Sequence, residues 1–342
     1  MRLIFVRQFL TRVKFNAHTY VCKTNYTPFF IFLFIFFYFF YSCKKTSITM
    51  KKIIEISESE YVYLFLNNIV IKKDSEKFVF PIDTVDVLIF ENDRATISIP
   101  VINELVEKKV NIIICKNHLP QSLIIPYSGY YNNKIFQEQI KWDIPYKTKT
   151  WQEIIKLKIQ RSISVLKSIQ KINSEDEAKM WDYFHDVQPY DTNNREGHAA
   201  KLYFKLLFGK GFIRDQNGDD NINILLNYGY IVLLSYVARI ICGKGLDNRL
   251  GIYHKSFNNN FPLACDLMEP YRYWVDQIVY NHINAEFLNF QDFKEALFKS
   301  FSNHIEYKGK HIKFSKYMEF EIMDILNLKE NYKEITTESD QS

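Results

Sequence analysis

The chain has 342 residues, enough for two domains and a large hydrophobic core. Its formal net charge is +5, but residues 1–49 contain only basic charged residues, and in the rest of the chain acidic residues slightly outnumber basic ones. Overall charge therefore gives no evidence for nucleic-acid binding, which has to rest on a local basic patch.

Residues 1–49 contain a hydrophobic stretch, Phe29 to Tyr41, that allows three interpretations. It has the length of a signal-peptide core, although the residues before Cys43 form a poor cleavage site, and it is short for a membrane anchor. In the third interpretation Met50 is the true start, because the first strand pattern follows it directly. We favour this last interpretation and predict residues 1–49 to be a spurious leader or a short hydrophobic segment, without stable membrane association.

The five cysteines show neither CxxC pairs nor the spacing of a disulfide framework. A reducing compartment suits such cysteines best. The predicted location is therefore the cytoplasm.

Residues 50–131 show the periodicity of strands and are predicted to form a β-rich domain. A first hairpin is predicted over Tyr61 to Ile71, with its turn at Asn67-Asn68. The segments that follow are predicted strands at Lys77 to Pro81, Val85 to Phe90 and Thr96 to Ile99, a helix at Pro100 to Lys108, and a buried strand at Val110 to Cys115.

Residues 132–150 are polar and interrupted by Pro145, which predicts a linker. From Trp151 apolar residues recur every three or four positions, so residues 151–330 are predicted to form a helical domain, followed by a polar tail at 331–342. Ser174 and Glu177 predict a capping box at one helix start. The predicted fold class is α+β, with an N-terminal β-rich domain followed by a larger all-α domain.

The segment Asn221 to Cys242 is apolar on nearly all sides. It also contains Asn223 and Arg239, which suit a protein interior better than a bilayer. We therefore predict a buried central helix and not a membrane span.

Glu196 is the first candidate for a functional site. A helix through it places Ala199, Ala200 and Tyr203 on the same face, which turns the carboxylate toward the core. A buried carboxylate needs a cation or a proton. The alternative is a helix cap, because Asn193 and Glu196 have capping-box spacing.

His254 is the second candidate and lies in a glycine-containing loop, Gly243 to Asn260, that follows the central helix. A single histidine in a loop is more often solvated or hydrogen-bonded than a metal ligand. Arg249 and Lys255 nearby would suit a phosphate backbone, which favours a functional interpretation.

Asp266 and Glu269 are three residues apart, which places both on one helix face. The alternative is an N-cap with its capping-box partner, since Pro270 is tolerated near a helix start. Together with Glu196 and His254, these carboxylates offer an oxygen-rich donor set that suits Mn²⁺ or Mg²⁺. No cysteine cluster supports zinc, and no glycine-rich phosphate loop supports nucleotide hydrolysis.

The phrases that contain these residues resemble, in order and spacing, the type II form of the CRISPR-associated integrase family Cas1. They are Arg195 to Ala200, Gly251 to Lys255 and Asp266 to Pro270, joined by Asn227 to Tyr230, Gly245 to Asp247, Arg272 and the stretch Gln139 to Trp151. The resemblance runs from about Met50 to about Asn281. Tyr253 and Cys265 depart from it, because the family often has a histidine and an acidic residue there.

The resemblance implies metal ligands at Glu196, His254 and Glu269, with Asp266 near the metal. It also implies a β-rich dimerisation domain at 50–131 and a helical catalytic domain at 151–330. The implied activity is that of a metal-dependent DNA integrase and endonuclease of CRISPR adaptation. Such an enzyme joins the 3′-hydroxyl ends of short spacer DNA to the CRISPR repeat by transesterification.

The implied partners are double-stranded DNA from the spacer precursor and the repeat, a second copy of the chain in a homodimer, a Cas2 dimer, and Cas9. The first-ranked candidates for phosphate contacts are Arg249, Lys255 and Arg272, followed by Lys201, Lys205, Arg239 and Lys244. Two alternatives come from other functional classes. One is a catalytically silent DNA-binding scaffold of the same fold, and the other is a membrane-anchored interaction protein, which would rest on Phe29 to Tyr41.

Overall fold

The structure is a computed structural model that describes residues 52–58, 60–108, 110–116, 119–124, 133–255, 259, 261–285 and 289–328. The predictions for residues 1–49 and 331–342 lie outside these residues. The described residues, all from Lys52 onward, belong to one compact unit. The predicted α+β class is confirmed, because a β-rich part comes first and a larger, mainly helical part follows.

Ten strands lie within the described residues. They are β1 (Lys52–Ile56), β2 (Tyr61–Phe65), β3 (Asn68–Lys73), β4 (Glu76–Pro81), β5 (Val85–Phe90), β6 (Thr96–Ile97), β7 (Asn111–Lys116), β8 (Leu119–Ile124), β9 (His304–Tyr307) and β10 (Lys310–Lys313). One sheet has the order β1-β5-β7-β8, with β8 antiparallel at its edge, and the second has the order β4-β3-β2-β6. Strands β9 and β10 form a hairpin inside the part predicted to be all-α, so this part is mainly helical with one small sheet.

Ten α-helices complete the described part of the chain. They are α1 (Ile99–Glu107), α2 (Asn133–Ile140), α3 (Ile144–Ser168), α4 (Ser174–His185), α5 (Arg195–Phe208), α6 (Asn221–Gly243), α7 (Pro262–Met268), α8 (Arg272–Ile283), α9 (Phe290–Phe301) and α10 (Phe314–Ile325).

The first hairpin turns at Leu66-Asn67, one residue earlier than predicted. In the register of this hairpin, Val62 lies opposite Ile71 and Leu64 lies opposite Ile69. These four apolar side chains are therefore on one face of the sheet. This packing fixes the position of the turn. Both turn residues consequently adopt left-handed backbone, with φ of 46° and 58°.

The segment predicted to be a linker contains α2 and the first turns of α3. Pro145 does not interrupt α3, because it lies in the first turn, where its missing N–H is not needed. The Asp143 carboxylate caps this helix by accepting a hydrogen bond from the Tyr146 backbone N–H at 2.9 Å. In α4 the cap is Asn173, one residue before the predicted Ser174.

The sheet β1-β5-β7-β8 lies between two hydrophobic cores, because alternate residues of a strand point to opposite faces. On β5, Val87 and Ile89 pack in a core shared with the helices. Leu88 and Phe90 pack in the other core, which also contains residues of the second sheet and of α1. The β-rich and helical parts are therefore packed directly against each other.

Helix α6 is the buried central helix that the sequence predicts. Within the described residues it is the helix whose length and composition would suit a membrane span. However, 72% of its most apolar 18-residue segment is buried inside the protein. Burial in the core accounts for its apolar surface.

Helix α3 runs alongside the candidate site and contacts α4, α5 and the short turn Glu269–Tyr271 that follows α7. Trp151, Ile155 and Ile159 bury one face of α3 in the core. Lys158 lies next to that face, three residues after Ile155, and so points toward the elements that carry the candidate residues.

Candidate metal centre

Glu196 lies in the first turn of α5. Asp191 caps this helix, because its carboxylate accepts hydrogen bonds from the backbone N–H groups of Arg195 at 2.8 Å and Glu196 at 3.0 Å. The side chain of Asn193 instead donates to the carbonyl of Asp186 at 2.7 Å. The capping alternative for Glu196 is therefore wrong, and its carboxylate is available for another role.

The Glu196 carboxylate binds a lysine that the sequence analysis did not select. Lys158 donates from Nζ to Glu196 Oε1 at 2.5 Å and to Glu269 Oε2 at 2.6 Å. The side chains of Glu196 and Lys158 are 33% and 18% exposed, whereas that of Glu269 is 7% exposed. The two predicted carboxylates thus lie close enough to share one cation.

Glu269 begins the turn Glu269–Tyr271, directly after α7. Its second oxygen, Oε1, forms an ion pair with Arg272 Nη2 at 2.7 Å. Burial would raise the pKa of the Glu269 carboxyl, but the charges of Arg272 and Lys158 outweigh burial and lower it. For Lys158, burial would lower the pKa, but the charges of Glu269 and Glu196 raise it. Both groups are therefore charged at neutral pH.

Asp266 is completely buried and organises the loop that carries His254. Its Oδ2 accepts hydrogen bonds from the backbone N–H groups of Ile252 at 2.6 Å and Tyr253 at 3.0 Å. Its Oδ1 accepts from the His254 backbone N–H at 3.1 Å and lies 2.6 Å from His254 Nδ1. Because Asp266 lies inside α7 and binds this loop, the N-cap alternative is wrong.

The contact between Asp266 and Nδ1 also determines which nitrogen of His254 can bind a ligand. A hydrogen bond from Nδ1–H to a carboxylate leaves Nε2 with its lone pair, which is the usual arrangement of a metal-binding histidine. The hydrogen bond to Asp266 raises the pKa of His254, and the negative charge of the neighbouring Glu269 raises it further. Partial burial acts in the opposite direction but does not outweigh them. The Trp151 ring packs edge-on against the imidazole, with centroids 5.9 Å apart.

The donor chemistry of the site fits a divalent ion. Glu196 and Glu269 already hold one positive group between them. His254 is oriented by the buried Asp266 and is near enough to Glu269 for their charges to interact. Carboxylate oxygens with one imidazole nitrogen suit Mn²⁺ or Mg²⁺. In the part of the chain that the structure describes, no group of three His, Cys, Asp or Glu side chains has the spacing of a formed metal site. An ion held by both carboxylates would meet the Lys158 ammonium group, which already contacts one oxygen of each.

A cavity of about 560 Å³ opens from this site. One end is lined by the charged cluster of Lys158, Glu196, Glu269 and Arg272. Basic and aromatic side chains line the remainder, including Lys201, Lys205, Lys210, Arg214, Phe204 and Tyr273. The surroundings of the carboxylates are thus positively charged and suit an anionic ligand.

The three first-ranked candidates for DNA contacts differ in position. Arg249 is 81% exposed and forms an ion pair with Asp247 at 2.6 Å. Lys255 is exposed beside His254. Arg272 is 24% exposed, forms the ion pair with Glu269 and lies over the Tyr230 ring at 4.7 Å from its centroid. Their contacts with DNA stay predictions.

Gly251 is required by the close packing of the His254 loop. A Cβ atom at this position would lie 2.5 Å from the His254 carbonyl oxygen and 2.9 Å from Pro262 Cβ. We expect Gly251→Ala to lower the free energy of unfolding by roughly 1–3 kcal/mol, because backbone would have to move. Urea unfolding tests this, with Gly211→Ala as control, since a Cβ there would meet nothing within 4 Å. Equal effects of the two substitutions would contradict the close approach.

Asp276 is a buried acid in the wall of the cavity. Its Oδ1 accepts a hydrogen bond from the Tyr230 hydroxyl at 2.5 Å. Burial raises the pKa of Asp276 to about 6, although the Tyr230 hydroxyl and the Arg272 charge act in the opposite direction. The folded protein therefore binds this proton more tightly than the unfolded chain does, so stability falls as pH rises from about 4 to about 6.

Replacing Asp276 by asparagine should remove this pH dependence. Between pH 5 and pH 7.5 the stability of the wild type relative to Asp276→Asn should decrease by roughly 1 kcal/mol, because only the wild type has to release the proton. Denaturant unfolding at both pH values measures the difference, and the exposed Asp219→Asn provides the control. A difference that is independent of pH would show that Asp276 is ionised throughout.

Comparison with known proteins gives a consistent result. The family model described as CRISPR associated protein Cas1 matches residues 55–310. The CRISPR-associated endonuclease Cas1 of Neisseria meningitidis serogroup C is 33% identical over 213 residues, which cover 62% of this chain and 69% of that protein.

Two solved structures share the fold. A casposase bound to integration product has a TM-score of 0.68 at 20% identity, and the match covers 82% of this chain and 92% of the casposase chain. A chain of a Cas6-RT-Cas1–Cas2 complex has a TM-score of 0.62 at 18% identity and covers 82% of this chain and 35% of its own. At these identities the likeness concerns the fold alone.

Proposed function

Because the chain belongs to the Cas1 family of CRISPR-associated proteins, we propose that it is a metal-dependent DNA integrase and endonuclease of CRISPR adaptation. It joins the 3′-hydroxyl ends of short spacer DNA to the CRISPR repeat. The observation that carries the proposal is the convergence of Glu196 and Glu269 on one cation, next to a histidine that a buried carboxylate orients.

In this mechanism Glu196, His254 and Glu269 would hold a divalent ion, Mn²⁺ or Mg²⁺. When bound, the ion supplies activation of the attacking 3′-hydroxyl and stabilisation of charge on the phosphate. Asp266 keeps Nδ1 of His254 protonated, so that Nε2 is the binding nitrogen.

The residues around the carboxylates act on the DNA. Arg272 and the basic wall of the cavity neutralise phosphate charge. The 3′ oxygen forms a new bond to phosphorus while the bond to the leaving 3′ oxygen of the repeat strand breaks. One phosphodiester replaces another, so no ATP is needed. Holding the two DNAs in register provides much of the rate acceleration.

That requirement for alignment supports a larger assembly. We propose a homodimer of this chain, formed through the β-rich part, that binds double-stranded DNA with a Cas2 dimer and with help from Cas9. The Cas2 proposal is supported by the fold likeness to a chain in a Cas6-RT-Cas1–Cas2 complex. A cytoplasmic location is part of the proposal and agrees with the free thiols of Cys115, Cys242 and Cys265.

The experiment is a strand-joining assay with the full chain and its Cas2 partner. A labelled spacer duplex with 3′-hydroxyl ends is incubated with a supercoiled plasmid that carries the repeat, in the presence of Mn²⁺ or EDTA. We expect joined product with Mn²⁺ and none with EDTA or with 3′-dideoxy ends. DNA binding without joining under all conditions would favour the catalytically silent scaffold instead.

A further inference from the structure

Lys158 occupies the position between the two carboxylates that a bound ion would need. Its Nζ contacts Glu196 Oε1 and Glu269 Oε2, one oxygen from each carboxylate. The other Glu269 oxygen is engaged by Arg272. Both Glu269 oxygens are thus engaged, so a divalent ion that binds Glu269 must compete with Lys158 or Arg272. Of these two, Lys158 is the one that contacts both carboxylates.

Among the four side chains that contact one another, the charges balance before any ion enters. Asp276 in the wall of the same cavity accepts its hydrogen bond from Tyr230 and acts on Lys158 and Arg272 through its charge. Glu196 and Glu269 carry two negative charges, and Lys158 and Arg272 carry two positive ones. A divalent ion would add two positive charges within contact distance of the Lys158 ammonium group. Because the cluster is largely buried and screening there is weak, this addition is unfavourable unless Lys158 moves or another anion arrives.

Lys158 has a place to move to, and the proposed substrate brings the missing anion. The lysine sits on the wall of the cavity that also contains Arg272 and a basic rim. Helix α3 is fixed by the buried Ile155 and Ile159, but the four-carbon side chain of a lysine can turn without moving its helix. A DNA phosphate in this cavity can accept the ammonium group that the ion displaces.

We propose that Lys158 couples ion binding to DNA binding. It acts as the internal counter-ion of Glu196 and Glu269, the divalent ion displaces it, and a phosphate of the bound DNA then pairs with it. Ion and DNA consequently strengthen each other's binding, and by thermodynamic linkage the two effects are equal. The ion alone binds weakly. This inference rests on the proposed function, because it takes DNA as the ligand of the cavity.

The test measures the affinity of the full chain for Mn²⁺ by electron paramagnetic resonance, with and without a short DNA duplex that has 3′ overhangs. Lys158→Met removes the charge and keeps most of the side-chain volume. Without DNA, we expect the variant to bind Mn²⁺ at least about ten-fold more tightly than the wild type, because no ammonium group has to be displaced. DNA should tighten Mn²⁺ binding about ten-fold in the wild type and less than about three-fold in the variant.

Two further variants keep the test interpretable. Lys149→Met changes an exposed lysine on the same helix and should behave like the wild type. Lys158→Arg keeps the positive charge, so it should retain weak Mn²⁺ binding without DNA even if Lys158→Met folds poorly. Thermal melting establishes which variants are folded. Mn²⁺ affinity in folded Lys158→Met that is equal to or weaker than wild type overturns the inference, as does a wild-type affinity that DNA does not change.

Glu269→Gln separates failure of this inference from failure of the proposed function. If Glu269→Gln loses Mn²⁺ binding while Lys158→Met binds like the wild type, the ion site stands and only the coupling role of Lys158 fails. If Glu269→Gln binds Mn²⁺ as tightly as the wild type, the ion does not bind at these carboxylates. Both the inference and the proposed metal centre then fail.

Discussion

DNA joining should fall by roughly three orders of magnitude or more when Glu269 is replaced by glutamine, and equally when Glu196 is replaced. Each substitution keeps the shape of the side chain but removes the negative charge that binds the ion. DNA affinity measured in EDTA should not fall, because neither carboxylate attracts phosphate. Gel-based joining assays with Mn²⁺ and filter binding of the same spacer duplex in EDTA measure the two quantities.

The two substitutions should differ in their effect on stability. The Glu269 side chain is 7% exposed and pairs with both Lys158 and Arg272. Glu269→Gln leaves these two partly buried positive charges with too little negative charge beside them, which should lower the free energy of unfolding by about 2–4 kcal/mol. Glu196 is more exposed and contacts only Lys158 in the ion pairs described above, so its substitution should cost less. The exposed Glu306→Gln is the control. Wild-type joining by either site variant would refute the ligand assignment.

The sequence predicted β2 to β7 and the central helix well because local patterns encode them, but it predicted neither β8 nor the hairpin β9–β10. The nearly continuous apolar runs of β5 and α6 correspond to their observed burial. The helices within the predicted linker at residues 132–150 were not predicted, because Pro145 was interpreted as an interruption, whereas it follows the helix cap Asp143 and belongs to a helix start. A proline has opposite meanings at the first turn and in the interior of a helix, and the pattern alone did not distinguish them.

The candidate site was predicted in its residue types but not in its internal connections. The sequence analysis selected Glu196, His254 and Glu269, and the structure brings the two glutamates to one lysine and places Glu269 beside the histidine. Lys158 was missed because a lysine on an amphipathic helix is usually solvent-exposed. Its partners lie 38 and 111 residues away. The signal that was available is its position, three residues after the buried Ile155.

The role of Asp266 likewise depends on tertiary structure. From the sequence, Asp266 was expected either to lie near the ion or to cap a helix that also carries Glu269. In the structure, the two Asp266 oxygens accept hydrogen bonds from three successive backbone N–H groups, and one of them also contacts Nδ1 of an imidazole. All of these groups belong to a loop 12 to 14 residues earlier in the chain. Closure of a loop onto a helix is not visible in local periodicity.

Asp266→Asn should therefore be the substitution that damages both the fold and the site. An amide offers one oxygen and places an NH₂ group against N–H donors that are buried with it, which should cost about 2–4 kcal/mol of stability. The same change removes the acceptor that holds Nδ1–H of His254, so Mn²⁺ affinity should fall about 10–100-fold. Urea unfolding and Mn²⁺ titration of the full chain measure the two effects, with the exposed Asp219→Asn as control.

His254→Ala separates the two contributions of Asp266. The imidazole is 38% exposed and makes one side-chain hydrogen bond to Asp266, whereas the backbone N–H groups of residues 252–254 would keep their acceptor in this variant. Ion binding and joining should be lost while most of the stability remains. If His254→Ala destabilises the protein as much as Asp266→Asn does, the loop is held by the imidazole and not by the backbone hydrogen bonds. The orienting role assigned to Asp266 would then be wrong.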